Sequence, residues 1–175
     1  MKILFLEGKH ETAQQTFSCR YSGVSTSFAA LVGLLLINKW RVDSPRRHSL
    51  ATLRALQAAL SAGDTNAVLV HVVVPTALQT RTSFEKAEFI TKALRDEVSV
   101  GGVEALSREG IFGSLQQIFP NEATTWATQS GVDPETCVAF KMEHNGLLAE
   151  VAFVKFGEEL RIIRCNNVKQ MAASF

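Results

Sequence analysis

Several features that usually betray a chemistry are missing from this chain of 175 residues. It has three cysteines, Cys19, Cys137 and Cys165, none in CxxC spacing and none beside a His-x-x-Glu pair. That excludes the usual structural zinc arrangements, and no metal site is expected. Charge of either sign is not in excess: 18 basic side chains face 17 acidic ones, for a net charge of +1. No global field recruits nucleic acid, and none is expected as a partner. Phosphate-binding loops, dinucleotide fingerprints, serine elbows and internal repeats are absent too, so no cofactor is expected. The longest run that is apolar apart from one glycine, Phe28 to Ile37, has only ten residues.

Regular alternation is present, and it is clearest from Thr136 to Val168. Val138, Phe140 and Met142 fall on one face of a strand, and Cys137, Ala139, Lys141 and Glu143 on the other. Asn145-Gly146 supplies the two positive-φ residues of a type I′ hairpin. That turn sets Met142 opposite Ala149, Phe140 opposite Val151, Val138 opposite Phe153 and Lys141 opposite Glu150. Burying the six apolar side chains contributes about 10 kcal/mol before entropy is charged. A third strand, Leu160 to Cys165, follows a two-residue turn led by Gly157, which pairs Phe153 with Ile162. A three-residue loop would oppose Lys155 to Arg161, and like charges across a ladder are unfavourable. In this meander Cys137 and Cys165 lie two strands apart at roughly 15 Å, beyond the reach of a disulfide, so both are expected to be reduced, buried thiols.

The N-terminal part reads differently. Met1 to Arg20 lacks periodicity, and Tyr21 to Asn38 is an uncharged stretch of 18 residues closed by Lys39. Its length is near the lower limit for a membrane span, and Tyr21 and Trp40 suit an interfacial belt. Two readings stand open: an uncleaved anchor or export signal, and a buried soluble helix. Lys39, Arg41, Arg46 and Arg47 form a basic cluster that suits either lipid head groups or a solvated linker, and Ser44-Pro45 marks a break. The expected division is therefore a tail over 1–45, touching a membrane through residues 21–41, and one folded domain over 46–175.

Within that domain a helix is expected to begin at Ser49, with Leu50, Leu53, Leu56 and Leu60 as its apolar stripe and Gly63 at its end. Asp64 or Thr65 caps a segment from Asn66 to Val74 whose valines favour strand while its cap favours helix, and both remain open. Thr82 and Glu85 make a capping box for a helix buried through Phe84, Ala87, Ile90, Leu94 and Val98, ended by Gly101-Gly102. Ile111, Phe112, Leu115, Ile118 and Phe119 suggest another helical turn or two, and Asn121 caps a short helix carrying Trp126 and closed by Gly131. The fold class is α+β, with helices packed on a C-terminal antiparallel meander.

The segment LQAALSAGDTNAV and the closing hairpins FKMEHNGLLAEVAFVKFGEELRIIR resemble the nuclear-transport-factor-like, or SnoaL-like, superfamily over about residues 47–168. The resemblance implies a cone of helices against a bent sheet, with a pocket between them used for catalysis, ligand binding or dimerisation. The chain departs from that pattern where an early strand pair is usual, since Thr82 to Val98 reads as helix.

His71 is the candidate general base, with Asp64 or Glu150 as partner, though a histidine in a valine run is more often a core residue. Trp126, Phe140, Val151 and Phe153 are the candidate pocket wall. Cys165 beside Arg164 invites a reactive-thiol reading, against which a small buried hydrophobe is the plainer one. The functional expectation is a membrane-tethered or exported module, in the cell envelope or at a membrane, that binds a small apolar ligand or a protein partner or pairs with itself through the sheet. The alternative function is a small pocket enzyme, an isomerase, dehydratase or hydrolase with His71 as general base, and the alternative location is the cytoplasm.

Overall fold

The computed structural model describes residues 44–172. Cys19, the uncharged stretch 21–38, Lys39 and Arg41 lie outside them, as does any test of the anchor. Among the described residues no helix is long and apolar enough to cross a membrane.

Helix α1 covers 44–62, so Ser49 lies inside it, and Ser44-Pro45 opens its described part, where proline's fixed φ and missing N–H are tolerated. Arg46 ties this end to the rest of the domain. Its Nη2 donates to the carbonyls of Ser107 (3.1 Å) and Gly110 (3.4 Å), and its guanidinium lies 5.9 Å from the centre of the Phe140 ring. A cation on exposed helix-end carbonyls is favourable, and this one docks on the protein where a linker or lipid contact was expected. Leu50, Leu53, Leu56 and Leu60 are buried as the periodicity requires, and Gly63 closes the helix at φ +70.

The valine run divides its allegiance. Helix α2, Thr65–Val70, is capped by the Asp64 carboxylate, which accepts from the amides of Asn66 and Ala67. Beyond it Val72 forms a parallel bridge with Ile162, and a 3-10 turn follows at Thr76–Leu78. Helix α3, Ser83–Arg95, carries the expected capping box. The backbone and hydroxyl bonds from Thr82 hold the Glu85 carboxyl below its ordinary range. Ala87, Ile90, Leu94 and Val98 are buried, but Phe84 is 74% exposed and Phe89 51%.

Gly101-Gly102 does not end a helix. It opens one, α4, Val100–Glu109, with the Ser99 hydroxyl accepting from the Gly102 amide. A Cβ on Gly102 would stand 1.8 Å from the carbonyl oxygen of Val168 in helix α7, Val168–Met171. Glycine is here to let two helices touch, and the same pair of residues out of context reads as a stop.

Ile111–Ser114 is strand β1 and not a helical turn; only Leu115–Ile118, α5, is helical, capped by Ser114. Pairing with β2, Cys137–His144, wins because it sets Phe112 against Phe140, rings 4.7 Å apart. Helix α6, Ala123–Ser130, starts after Glu122 with no side-chain cap, so Asn121 does not serve as one; Gly131 closes it at φ +67. Strands β3, Leu147–Phe156, and β4, Glu159–Asn166, complete an antiparallel sheet in the order β1-β2-β3-β4. The register expected from the Asn145-Gly146 turn is present at each of the four pairs named, as is Phe153 opposite Ile162.

β4 contains one irregularity. Phe153 faces Ile162 but Ala152 faces Arg164, so Ile163 is an extra residue. Such a bulge re-aims the side chains beyond it. Ile162 and Cys165 belong to the front face with Phe140, Val151 and Phe153, under α1 to α4 and α7. Arg164 shares the reverse face with Ala152 and Glu150.

That reverse face is less wet than alternation suggests. Cys137, Ala139, Ala152 and Val154 are buried there under Leu115, Phe119 and Trp126 of the α5–α6 segment. The chain leaves β4 at Asn167, φ +57, whose amide donates to the Glu97 carboxylate and whose side chain donates to Leu148 O at 2.9 Å.

Candidate functional site

The four aromatic and aliphatic candidates do not meet. Phe140, Val151 and Phe153 have no exposed surface and are packed in the front core, with Phe140 and Phe153 edge to face at 6.3 Å. Trp126 is on the opposite side of the sheet, 4.9 Å from Phe119. Around those three front-face residues pack buried side chains of the helical layer.

His71 is half-buried at the C-terminal end of α2, where its backbone amide bonds Val68 O. The two carboxylates considered as its partners are committed elsewhere. Asp64 caps the other end of α2, and Glu150 meets Arg164 at 3.5 Å. Arg164 in turn lies 5.1 Å from the Trp126 ring, so the reverse face holds a short Glu150, Arg164, Trp126 stack. No group of three or more His, Cys, Asp or Glu residues placed to hold a metal occurs among the described residues.

What the chain does bring together is a groove on the outer side of β4. It is lined by Val72, Val73 and Pro75, by Phe89, Ile90, Ala93 and Leu94 of α3, and by Ile163, Arg164 and Cys165. Its volume is about 140 Å³. An enclosed apolar cavity of about 150 Å³ takes up a benzene-sized group, so this one suits a single apolar side chain or ring. Phe89 stands at its lip, with the Arg81 guanidinium 5.5 Å from the ring centre. Ile163, the extra residue of the bulge, and its neighbour Arg164 both line it.

The chemistry of the groove is poor in reactive groups. Burial first, and then the Glu97 carboxylate, push the Cys165 thiol up to about 12, and the opposing pull of Arg164 is the weakest of the three influences. The reactive-thiol reading therefore fails, because the side chain is a neutral S–H at physiological pH. Cys137 is also raised, chiefly by burial, with its Sγ 3.3 Å from Asp133 O. Both thiols are free, as the strand geometry requires.

Periodicity could not have found the groove, because its walls come from three separated segments. The one local signal was Phe89, which falls beside the buried stripe of α3 and has no partner in it. In comparisons with known proteins the chain matches no family model, no curated protein and no solved structure.

Proposed function

We propose that residues 44–172 form a binding module whose site is the groove on the outer side of β4, and that the module has no catalytic role of its own. The observation that carries this reading is a side-chain-sized apolar groove, 140 Å³, at an edge strand, with a half-exposed phenylalanine at its lip. Edge strands and exposed apolar surface are both costly to leave open unless a partner uses them. The protonated Cys165 and the separated His71, Asp64 and Glu150 agree with binding better than with acid–base or nucleophilic work.

The proposal includes membrane association through residues 21–41, supported by the uncharged 18-residue stretch and its flanking basic and aromatic residues. It also keeps the likeness to the nuclear-transport-factor-like superfamily at the level of helices laid on one face of an antiparallel sheet, with the ligand site moved from the interior to the sheet edge.

The dye 1-anilinonaphthalene-8-sulfonate tests the site. The native protein should enhance its fluorescence saturably, and Ala93→Glu, at an exposed position in the groove wall, should abolish most of the gain while Ser61→Glu on α1 leaves it intact. Equal enhancement in all three would reject the groove. Removing residues 1–39 should move the protein from the membrane to the soluble fraction; continued sedimentation with membranes would reject the tether.

A further inference from the structure

We infer that the occupant of this groove is an extended peptide segment of a protein partner, laid along β4 beyond Ile162, with one bulky apolar side chain in the groove and an acidic residue beside it. The inference rests on the proposed binding site and names what fills it.

The chain itself displays the mode of attachment. The Ile162 amide donates to His71 O at 2.8 Å, and the Val73 amide donates to Ile162 O at 2.9 Å. Val72 thus makes a single parallel bridge to the outer edge of β4, closed by the backbone bonds of its two neighbours. It cannot continue: Pro75 sits at φ −55 with no N–H to give, and the Thr76–Leu78 turn carries the chain away. Among the described residues β4 has no strand partner on that side from Ile163 onward. The groove opens where that pairing stops, with Val73 and Pro75 on one wall and Ile163 to Cys165 on another. A peptide placed there would prolong an existing pairing, with main-chain bonds giving affinity and the groove reading one side chain.

Charge selects the flank. Arg164 is the sole charged side chain lining the groove, and Arg81 lies just outside over Phe89. Arg164 already meets Glu150, but its side chain is 42% exposed and its guanidinium has five N–H donors. No carboxylate is among the lining residues, and the two nearby are engaged, Glu150 by Arg164 and Glu97 by the Asn167 amide, so an acidic neighbour on the peptide is favoured over a basic one.

The test uses the full chain and a fluorescein-labelled nine-residue peptide of alternating valine and aspartate with leucine at the centre, followed by fluorescence anisotropy. Saturable binding is expected, weakened at least tenfold by Ala93→Glu and several-fold by Arg164→Gln, unchanged by Ser61→Glu, and lost when lysine replaces aspartate in the peptide. Circular dichroism of each variant separates misfolding from loss of contact, and swapping the peptide's central leucine for aspartate repeats the test with the protein unaltered. Absence of binding, or binding indifferent to Ala93→Glu, overturns the inference. If dodecanoate binds in an Ala93-dependent way and the peptide does not, the groove is a small-molecule site: the inference fails and the proposed binding function survives. If dye, dodecanoate and peptide all ignore Ala93→Glu, both fail.

Discussion

On its front face the sheet presents Phe140, Val151 and Phe153 to helices α1 to α4 and α7, while on its reverse face Cys137, Ala139 and Ala152 lie beneath the short helices α5 and α6. The difference is one of side-chain size. Large side chains in front fill the wide space under long helices; small ones behind let four-residue and eight-residue helices come close to the strands. The reverse layer is consequently partial, and past Ala139 and Ala152 the face turns to Lys141, Glu143, Glu150 and Arg164.

The contrast can be broken most forcefully in front. Phe153→Ala should lose about 3–5 kcal/mol, as large-to-alanine changes in closed cores do. Its denaturant midpoint measures this, and a loss under about 1 kcal/mol would mean the front layer is looser than its burial implies. Behind the sheet the dangerous change runs the other way: Ala152→Leu should cost about 1–3 kcal/mol by overpacking against α6, and a neutral result would show that the short helices ride loosely.

A smaller effect of opposite sign is expected in the helical layer. The Thr91 hydroxyl is buried and without a hydrogen-bond partner, so Thr91→Val should stabilise by about 1 kcal/mol, visible as a raised midpoint. Destabilisation would reveal that the hydroxyl is satisfied in solution.

The remaining effect appears only in alkali. Cys165 titrates near 9.0 when free and at about 12 in the fold, so the folded state keeps a proton that the unfolded state releases. Its contribution is complete below about pH 9 and is lost as the pH rises toward 12. Unfolding midpoints should fall across that window, and Cys165→Ala should flatten part of the decline, Cys137 being raised in the same direction. A decline as steep in the variant as in the native protein would assign it elsewhere.

How much was legible in the sequence tracks the same division. The β2–β3 register could be read directly because a period of two and an Asn-Gly turn constrain it twice over. So could the Glu85 capping box and the leucine stripe of α1, which are local. What escaped depended on distant neighbours. Ile111 and Phe112 make too short a run to declare a strand until Phe140 stands beside them, and Gly101-Gly102 looks like a terminator until Val168 is in place. The cover on the reverse face had a visible sign, since Cys137, Ala139, Ala152 and Val154 are apolar positions on the face that also carries Lys141 and Glu150. The groove had almost none: its walls come from three segments up to about ninety positions apart in the chain.

The extra residue in β4 has a mechanical corollary. Upstream of Ile163 the strand keeps step with the Gly157 reversal; downstream it keeps step with the Asn167 corner, where Glu97 fastens the chain. The two halves are indexed from opposite ends, with a one-residue phase slip between them. The Gly157 tip and the Arg164–Cys165 end are therefore held by different anchors, so a change of length at one end need not shift the register of the other.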